Sequence, residues 1–282
     1  MAWVSSPDWF DFLADGGDLD SMKSIWLMYH DIYETEVQSG ISNSASMYHT
    51  SREAFADHLA AIKASGRPVI TPREYRNGST RDSVLITFDD GWRGAFEIGL
   101  PLLQSFGWKA TFFITRDFVG REPFCDKEMI VRAFDAGMEI GVHGTTHRML
   151  LPCSVEEIEW ELESCKTFLE KLLGTGSKSA SVPGGATSSK IIACAKRLGF
   201  KSLCTSNPGV NFSTTSPFTL GRIAIRNKTI QSDIKRYCRY QIGPEIVRWA
   251  LFGIPRRILG IRNYSALRRW LKGDKTTELF QP

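Results

Sequence analysis

Short apolar runs alternate with helical segments through most of this chain. The apolar runs that predict strands lie at 25–29, 68–72, 84–88, 110–114, 139–142, 179–182, 201–205 and 220–225. Helices are predicted from Ser51 onward and over 93–106, 127–136, 154–173 and 188–198. Strand–helix units joined by short loops are typical of a parallel sheet covered by helices. With 282 residues, the chain is long enough for one large α/β domain or two smaller ones.

The polar residues that could carry chemistry come just after the predicted strands. They are His30, Asp89, Asp90, His143, His147, the turn Pro183-Gly184-Gly185, and Thr205. In a barrel of parallel strands, the carboxyl ends of the strands carry the active site. We therefore expect these residues to form one site that is built from several loops.

Two adjacent aspartates, Asp89 and Asp90, follow the apolar run 84–88. Asp and Gly are common in turns, so Asp89-Asp90-Gly91 by itself also fits an ordinary turn. Two neighbouring carboxylates after a buried strand, however, repel each other unless a cation offsets their charge. Adjacent side chains at a strand end point in different directions, so one can bind a metal while the other faces a substrate.

His143 and His147 are four residues apart, a spacing that lets their imidazoles converge if the loop turns helically. Alone, the pair also fits two ordinary surface or core histidines. Two imidazoles and a carboxylate suit a divalent ion such as zinc, and a second carboxylate beside them is placed to act as a base. The combination of both pairs predicts a metal-dependent hydrolase.

The remaining histidines are less informative. A lone histidine at a strand end is more often structural, but His30 shares its predicted rim with the other polar residues. We expect His58 to face solvent in the middle of a helix, and His49 has no comparable placement. Trp92 follows the Asp-Asp-Gly turn directly, where it could line a pocket.

The distribution of charge along the chain indicates which partners the protein could bind. The formal charge is +4, but residues 232–272 alone carry +8 and the remainder carries −4. This basic segment is interleaved with apolar residues. It fits helices packed on the barrel, or a segment that docks on an anionic membrane surface. No fold motif supports nucleic-acid binding, so none is expected.

Neither a membrane-spanning run nor a secretory signal is visible in the sequence. The six cysteines are scattered and predict buried free thiols, as is usual in a reducing compartment. We therefore expect a cytoplasmic protein, unless a leader has been removed, with a peripheral position at the inner face of the membrane as a further option.

The motifs Thr87-Phe88-Asp89-Asp90-Gly91 and His143-Gly144-Thr145-Thr146-His147 resemble those of the NodB-homology polysaccharide deacetylases, carbohydrate esterase family 4. The resemblance covers roughly residues 25–226. It implies a distorted (β/α)7 barrel that removes acetyl groups from acetylated glycans with a divalent ion, zinc in the first place and cobalt or nickel as alternatives. It also implies that Asp89 is the catalytic base and that Asp90, His143 and His147 hold the metal.

Met28-Tyr29-His30-Asp31 is similar to the start of the exopolysaccharide deacetylase branch, in which this histidine is the general acid. That resemblance assigns the acid to His30. One departure concerns the third motif, where Ser181 stands in place of an arginine that braces the catalytic aspartate. Arg222 is the candidate replacement. The candidate substrate-binding residues are Trp92, Pro183, Gly184, Gly185, Thr205 and Arg222.

The sequence thus predicts an N-terminal arm (1–24), a deacetylase-like α/β barrel (25–226) and a basic amphipathic helical extension (227–282). The predicted activity is hydrolysis of the N-acetyl group of an N-acetylhexosamine in a polysaccharide, oligosaccharide or lipid-linked glycan, in exopolysaccharide or cell-surface glycan biosynthesis. Two alternatives stay open. One is hydrolysis of a small non-sugar amide on the same scaffold, and the other is a non-catalytic glycan-binding member.

Overall fold

A computed structural model describes residues 22–34, 43–78 and 81–251 of the chain. Its strands are β1 Lys23–Tyr29, β2 Ile32–Tyr33, β3 Thr50–Ser51, β4 Ser83–Phe88, β5 Thr111–Ile114, β6 Glu139–Val142, β7 Ser179–Ser181, β8 Ser202–Cys204, β9 Val210–Phe212 and β10 Ile223–Ala224. Its helices are α1 Asn43–Ser46, α2 Arg52–Ala64, α3 Pro72–Arg76, α4 Leu100–Ser105, α5 Lys127–Asp135, α6 Val155–Leu173, α7 Ser189–Arg197 and α8 Gln231–Cys238. A π-helical turn, Ala95–Gly99, leads into α4, and Arg116–Phe118 forms a 3-10 turn.

The main sheet runs in the order β10-β1-β4-β5-β6-β7-β8, and all these pairs are parallel. Leu220 forms a parallel bridge with Cys204 at the end of β8, and three residues later β10 pairs with β1. The segment from Leu220 to Ala224 therefore links the two outer edges of the curled sheet. The α/β barrel predicted from the sequence is confirmed.

The hydrophobic pattern explains why these strands lie in the interior. All six residues of β4 are buried, as expected for a strand covered on both faces. Helix α6 begins as predicted, with Ser154 and Glu157 forming a capping box. All six cysteines are buried and free, which confirms that prediction.

Some elements differ from the sequence prediction. Residues 68–72 form no named strand, because only Val69 bridges to β4 and Pro72 already begins α3. The predicted strand at 220–225 is shorter, since Leu220 pairs with one neighbour and β10 with another. The short antiparallel strand β9, which pairs with β1, is an addition to the predicted elements.

The packed unit continues beyond residue 226. Ile234, Tyr237 and Cys238 of α8 and Ile242 after it are buried in the main hydrophobic core. The predicted boundary at residue 226 therefore falls inside this unit. A further helical stretch covers 243–251. Most of the predicted arm (residues 1–21) and the end of the basic extension (residues 252–282) lie outside the described residues. Within the described part, no helix is both long and apolar enough to cross a membrane.

Candidate active site and metal centre

The predicted site residues meet at the carboxyl ends of neighbouring strands. Asp89 and Asp90 follow β4, His143 follows β6, and Ser181 ends β7. Arg222 immediately precedes β10, the strand that pairs with β1 at one edge of the sheet. The side chains of Asp89, His143 and Arg222 are all buried.

Asp90, His143 and His147 form a compact three-residue cluster. Oδ1 of Asp90 lies 3.1 Å from Nε2 of His143 and 3.1 Å from Nε2 of His147. One ligand atom from each residue lies within 4.8 Å of the others, close enough for all three to contact one ion. One carboxylate and two imidazoles are a donor set that suits zinc and similar divalent ions.

The hydrogen bonding of His143 shows that these residues fit a cation. Its Nδ1 lies 3.0 Å from the backbone carbonyl oxygen of Ser181, which can only accept, so Nδ1 carries the proton. In the neutral ring, the Nε2 lone pair then faces Asp90. Oδ1 of Asp90 is buried and has no hydrogen-bond partner among the described residues. Acceptor atoms that converge in this way are stabilised by a shared positive charge.

The backbone and Trp92 orient Asp90. Asp90 has a φ of 73°, an uncommon left-handed conformation for a residue other than glycine. The indole Nε1 of Trp92 donates a hydrogen bond of 2.9 Å to Oδ2 of Asp90, which leaves Oδ1 facing the two histidines. Trp92 is buried, so it lies behind the metal ligand instead of lining an open pocket as predicted.

Arg222 is the partner of Asp89. Its Nη1 and Nη2 each donate a 2.7 Å hydrogen bond, one to each carboxylate oxygen of Asp89. The hydroxyl of Ser181 donates to Oδ2 of the same carboxylate at 2.9 Å. Nη2 of Arg222 also contacts Ser181 Oγ at 2.6 Å, so all three side chains form one buried network. Asp89 is therefore paired although Ser181 replaces the expected arginine.

The charges in this cluster set the protonation of the carboxylates. Burial alone would raise the pKa of Asp89, but the charge of Arg222 outweighs it and the pKa is lowered. Burial likewise opposes ionisation of Asp90, while the charge of His147 brings its pKa well below the usual range. Asp90 in turn raises the pKa of His147 against the effect of burial. Both aspartates are thus ionised at neutral pH.

The loop that carries the two histidines is not helical, in contrast to the turn assumed from their spacing. His147 has a φ of 66°, and this bent backbone brings the two imidazole rings to a centroid distance of 5.2 Å. Glu161 of α6 stabilises the loop through hydrogen bonds. Its Oε2 accepts hydrogen bonds from the backbone N–H groups of Thr145 (2.7 Å) and Thr146 (2.9 Å). Glu161 is fully buried and was missed from the sequence, where it reads as one more acid of an acidic helix.

His30 lies at the same rim, at the end of β1. Its ring packs on Tyr48 at a centroid distance of 4.9 Å, and its Nδ1 is buried without a hydrogen-bond partner among the described residues. Burial lowers the pKa of His30, while the charges of Asp90 and Asp89 act in the opposite direction. A partly exposed imidazole near both aspartates fits the general-acid position predicted for it.

The predicted substrate-binding residues of the rim loops differ in exposure, because one is exposed and the others are buried. Gly184 is exposed at the rim, whereas Pro183 and Gly185 are buried beneath it. A Cβ on Gly185 would lie 2.2 Å from the Cβ of Ser206, so only glycine fits this close approach of two loops. Thr205 is buried and donates a hydrogen bond to the Leu220 carbonyl (3.1 Å).

Arg222 is 0% exposed, which corrects the prediction that it contacts substrate. Its guanidinium is occupied by Asp89, by Thr87 and by the carbonyl oxygen of Thr205. Thr205 is corrected in the same way, because its backbone and hydroxyl both serve the interior. Arg222 and Thr205 therefore stabilise the site through buried hydrogen bonds and do not face the substrate.

Two histidines also differ from their predicted roles. His58 is fully buried, not solvent-facing, with its Nδ1 3.2 Å from the Tyr29 hydroxyl and its Nε2 3.1 Å from the Thr229 carbonyl. His49 is buried as well, with its ring 4.6 Å from that of Trp92. No local pattern in the sequence around His49 signals this position.

The curled α/β sheet carries, at the carboxyl ends of its strands, an Asp-His-His cluster that could hold a metal ion, with a second aspartate beside it. Residues 76–203 match the family model described as polysaccharide deacetylase. The resemblance found in the sequence is thereby confirmed over the residues that this model matches, and the family that it describes consists of hydrolases that act on amide bonds.

Individual relatives show the same resemblance, and a solved structure shows the same fold. YxkH of Bacillus subtilis, named after the same family, is 23% identical over 205 residues, which are 71% of this chain and 70% of YxkH. A peptidoglycan-N-acetylglucosamine deacetylase of Bacillus cereus is 30% identical over 137 residues, 45% of this chain and 62% of that protein. Among solved structures, the deacetylase PplD of Streptococcus pyogenes matches with a TM-score of 0.67 and 23% identity, covering 76% of this chain and 97% of PplD.

Proposed function

We propose that this protein is a deacetylase that hydrolyses the N-acetyl group of an N-acetylhexosamine within a glycan and depends on a divalent metal ion, zinc in the first place. One observation carries the proposal. The Asp90–His143–His147 cluster lies beside a carboxylate, Asp89, whose Oδ2 is 3.9 Å from Nε2 of His143. The Bacillus cereus relative, which is named a peptidoglycan-N-acetylglucosamine deacetylase, supports this substrate class.

A divalent ion held by Asp90, His143 and His147 would polarise the acetyl carbonyl and acidify a water molecule. Asp89 accepts the proton of the attacking water. Arg222 and Ser181 keep Asp89 ionised and fix the orientation of its carboxylate. This arrangement uses a positioned base, and such a base contributes ~10²–10⁴-fold to a rate.

His30 supplies the proton to the leaving amine. An acid must be protonated before the step, so its contribution is lost as the pH rises through its pKa. Because burial lowers the pKa of His30, we expect the alkaline limb of the pH–rate profile to begin below the range of an ordinary histidine. A residue that only packs in the site would not produce this alkaline limb, so the pH–rate profile tests whether His30 is the acid.

Ser181 was the residue that favoured a non-catalytic glycan-binding protein, because it replaces the arginine of the third motif. Arg222 makes the two-pronged contact with Asp89 that such an arginine would make. The catalytic proposal is therefore favoured over a binding-only role.

The proposal is tested by acetate release from N-acetylglucosamine oligomers and from lipid-linked N-acetyl sugars. Metal-stripped protein is compared with protein to which zinc, cobalt or nickel has been restored. We expect release that requires a metal and disappears in Asp89→Asn, while Asp135→Asn on the exposed end of α5 remains active. Tight metal binding without release from any acetylated sugar would indicate a different amide substrate. Failure to bind a metal would contradict the proposal.

His30→Gln tests the acid. We expect a lower turnover number and loss of the alkaline limb, with metal affinity retained. If the turnover number and its pH profile were unchanged, the proton would have to come from another group.

We further propose that the chain works in the cytoplasm, at an anionic membrane surface. The support is the charge of +8 over residues 232–272, together with Val247 and Leu251, which are 58% and 63% exposed on the helical stretch 243–251. Basic and exposed apolar side chains in one segment favour the interface of an anionic bilayer. Docking of this kind would bring a lipid-linked glycan to the site.

A further inference from the structure

Two buried polar residues, Asp31 and His49, lie next to each other behind the site. Asp31 is 3% exposed and His49 is 0% exposed, and His49 Nδ1 is 3.6 Å from Asp31 Oδ2. Neither ring nitrogen of His49 has a hydrogen-bond partner among the described residues. Burial lowers the pKa of His49 to about 4 and raises the pKa of Asp31 to about 7. The pair is therefore not a charged salt bridge at neutral pH, despite its short distance.

Such a pair is costly for the fold. Each buried polar group without a partner costs about 1–3 kcal/mol, and an apolar side chain at position 49 would avoid the cost. Groups of this kind in a native structure call for an explanation, and a role in the site is one. The position of His49 indicates what this role is.

His49 contacts the side chain that orients a metal ligand. Its ring meets Trp92 edge to face, with a centroid distance of 4.6 Å and an interplanar angle of 70°. Trp92 has its other ring contact with Phe124 at 4.5 Å and donates its N–H to Oδ2 of Asp90. The rotation of the indole decides whether that N–H reaches Asp90, and His49 packs directly against the indole.

Asp31, the neighbour of His49, contacts the backbone segment that follows Trp92. The backbone N–H groups of Ile32, Gly94 and Ala95 face its carboxyl group. A Cβ on Gly94 would lie 1.9 Å from the Ile32 carbonyl oxygen and 2.6 Å from Asp31 Oδ1. The chain that follows Trp92 therefore lies directly against Asp31, and His49 contacts both Asp31 and Trp92.

We propose that His49 is a positioning residue for the metal site: by packing against Trp92 it holds the indole N–H on Oδ2 of Asp90, so that Oδ1 is presented to the ion together with His143 and His147. This inference rests on the metal site of the proposed function. His49 does not touch substrate, because it is fully buried. Its effect reaches the ion through two contacts, the ring packing and the indole hydrogen bond.

The test measures cobalt binding and does not require turnover. Purified full-length protein is stripped of metal, and Co²⁺ affinity and the visible Co²⁺ absorption spectrum are recorded for wild type, His49→Leu, Trp92→Phe and the double variant. Residues that orient metal ligands change affinity by ~10–100-fold. We expect each single variant to weaken Co²⁺ binding by about tenfold and to alter the spectrum. The double variant should be no weaker than Trp92→Phe alone, because His49 acts through Trp92.

His58→Leu is the matched control, since His58 is an equally buried histidine that contacts Tyr29 and Thr229 and not Trp92. It should lower stability without changing Co²⁺ affinity. Unchanged affinity and spectrum in His49→Leu, or additive losses in the double variant, would overturn the inference. If His49→Leu does not fold, the same comparison is made with His49→Gln.

The metal site and the positioning role of His49 can be disproved separately. Wild type that binds no Co²⁺ or Zn²⁺ would overturn the proposed metal site and this inference together. Binding that is abolished by Asp90→Asn but unaffected by His49→Leu would overturn the inference alone.

Discussion

At the scale of single residues, the contact between Arg222 and Asp89 is the interaction on which the site most depends. Both side chains are buried, and the two-pronged geometry satisfies both carboxylate oxygens. Removing one partner of a buried ion pair leaves the other charge uncompensated, which costs about 3–5 kcal/mol. Arginine and lysine are not equivalent here, because only the planar guanidinium contacts both oxygens at once.

Arg222→Lys should therefore reduce acetate release by about tenfold or more, by analogy with other residues that orient a site. The matched variant is Ser181→Ala, which removes one hydrogen bond to Asp89 and leaves the two-pronged contact in place. Turnover numbers and urea unfolding of both variants provide the measurement. A larger loss in Ser181→Ala than in Arg222→Lys would mean that the hydroxyl, and not the guanidinium, fixes Asp89.

A second prediction at this scale concerns pH and the pair Asp31 and His49. The pKa of Asp31 is raised from 3.8 to about 7, so this group alone makes stability fall as pH rises through that window. The pKa of His49 is lowered from 6.5 to about 4, so this group alone makes stability rise with pH between these values. The two effects cancel in the wild type, where the folded pair keeps the proton on Asp31 and the unfolded pair keeps it on His49.

His49→Gln should unmask the Asp31 effect. Relative to wild type, its free energy of unfolding should fall by about 1.4 kcal/mol for each unit by which the pH rises between about 4 and 6.5. Asp31→Asn should show the opposite slope. Urea titrations of metal-stripped protein at several pH values across this window measure both slopes. Parallel curves for all three proteins would show that the pair does not titrate on unfolding.

The residues that meet in the candidate site could largely be found from the sequence, and the contacts that orient them could not. Asp89, Asp90, His143 and His147 stand in short motifs whose spacing and residue types are specific. Arg222 was found only as a candidate, because its partner is 133 residues away in the chain. Trp92, Thr205 and Arg222 were assigned to substrate because the sequence does not show whether a polar residue at a strand end points outward or inward.

At the scale of elements, helix α6 sets the shape of the loop that holds the histidines. Glu161 on its buried face accepts two backbone hydrogen bonds and one hydroxyl hydrogen bond from Thr145 and Thr146. This explains how a loop with His147 in a left-handed conformation stays ordered. The strands and the capping box of α6 followed from hydrophobic pattern and local chemistry, whereas this contact between helix and loop requires the tertiary fold.

Glu161→Gln should loosen the loop. The amide oxygen can take the place of Oε2, but the amide NH₂ then stands where Oε1 accepts from the Thr146 hydroxyl. That hydrogen bond is lost in its present direction and the two backbone N–H groups lose their charged acceptor, at about 1–3 kcal/mol. We expect lower stability and weaker Co²⁺ binding than in Glu163→Gln, an exposed position on the same helix. Unfolding curves and cobalt titrations give the comparison. Equal cobalt affinity in the two variants would show that the loop keeps its shape without Glu161.

At the scale of the whole molecule, the sheet and the C-terminal helices form one packed unit. Helix α8 contributes Ile234, Tyr237 and Cys238 to the core, and Arg236 and Tyr237 bind Glu245 of the next helical stretch. The parallel direction of the strands could be expected from the alternation of elements. The extent of the unit could not, because a short helix rich in charged residues resembles a surface extension in the sequence.

The proposed membrane docking gives a prediction at this scale. The double variant Val247→Ser and Leu251→Ser removes two exposed apolar side chains from the helical stretch 243–251. We expect it to co-sediment less with vesicles that contain anionic lipid, while acetate release from a soluble oligomer stays unchanged. Trp160→Ser, at an exposed position on α6, is the control and should bind vesicles like the wild type. Equal binding of all three proteins would rule out this face as the docking surface.

The position of Arg222 has a consequence for the synthesis of the protein. Asp89, Asp90, His143 and His147 leave the ribosome long before the segment from Leu220 to Ala224 that joins the two edges of the sheet. A nascent chain that has reached only β8 carries every metal ligand but no counter-charge for Asp89. Under the proposed function, acetate release would therefore require translation past this closing segment, because Asp89 has no Arg222 partner before that point.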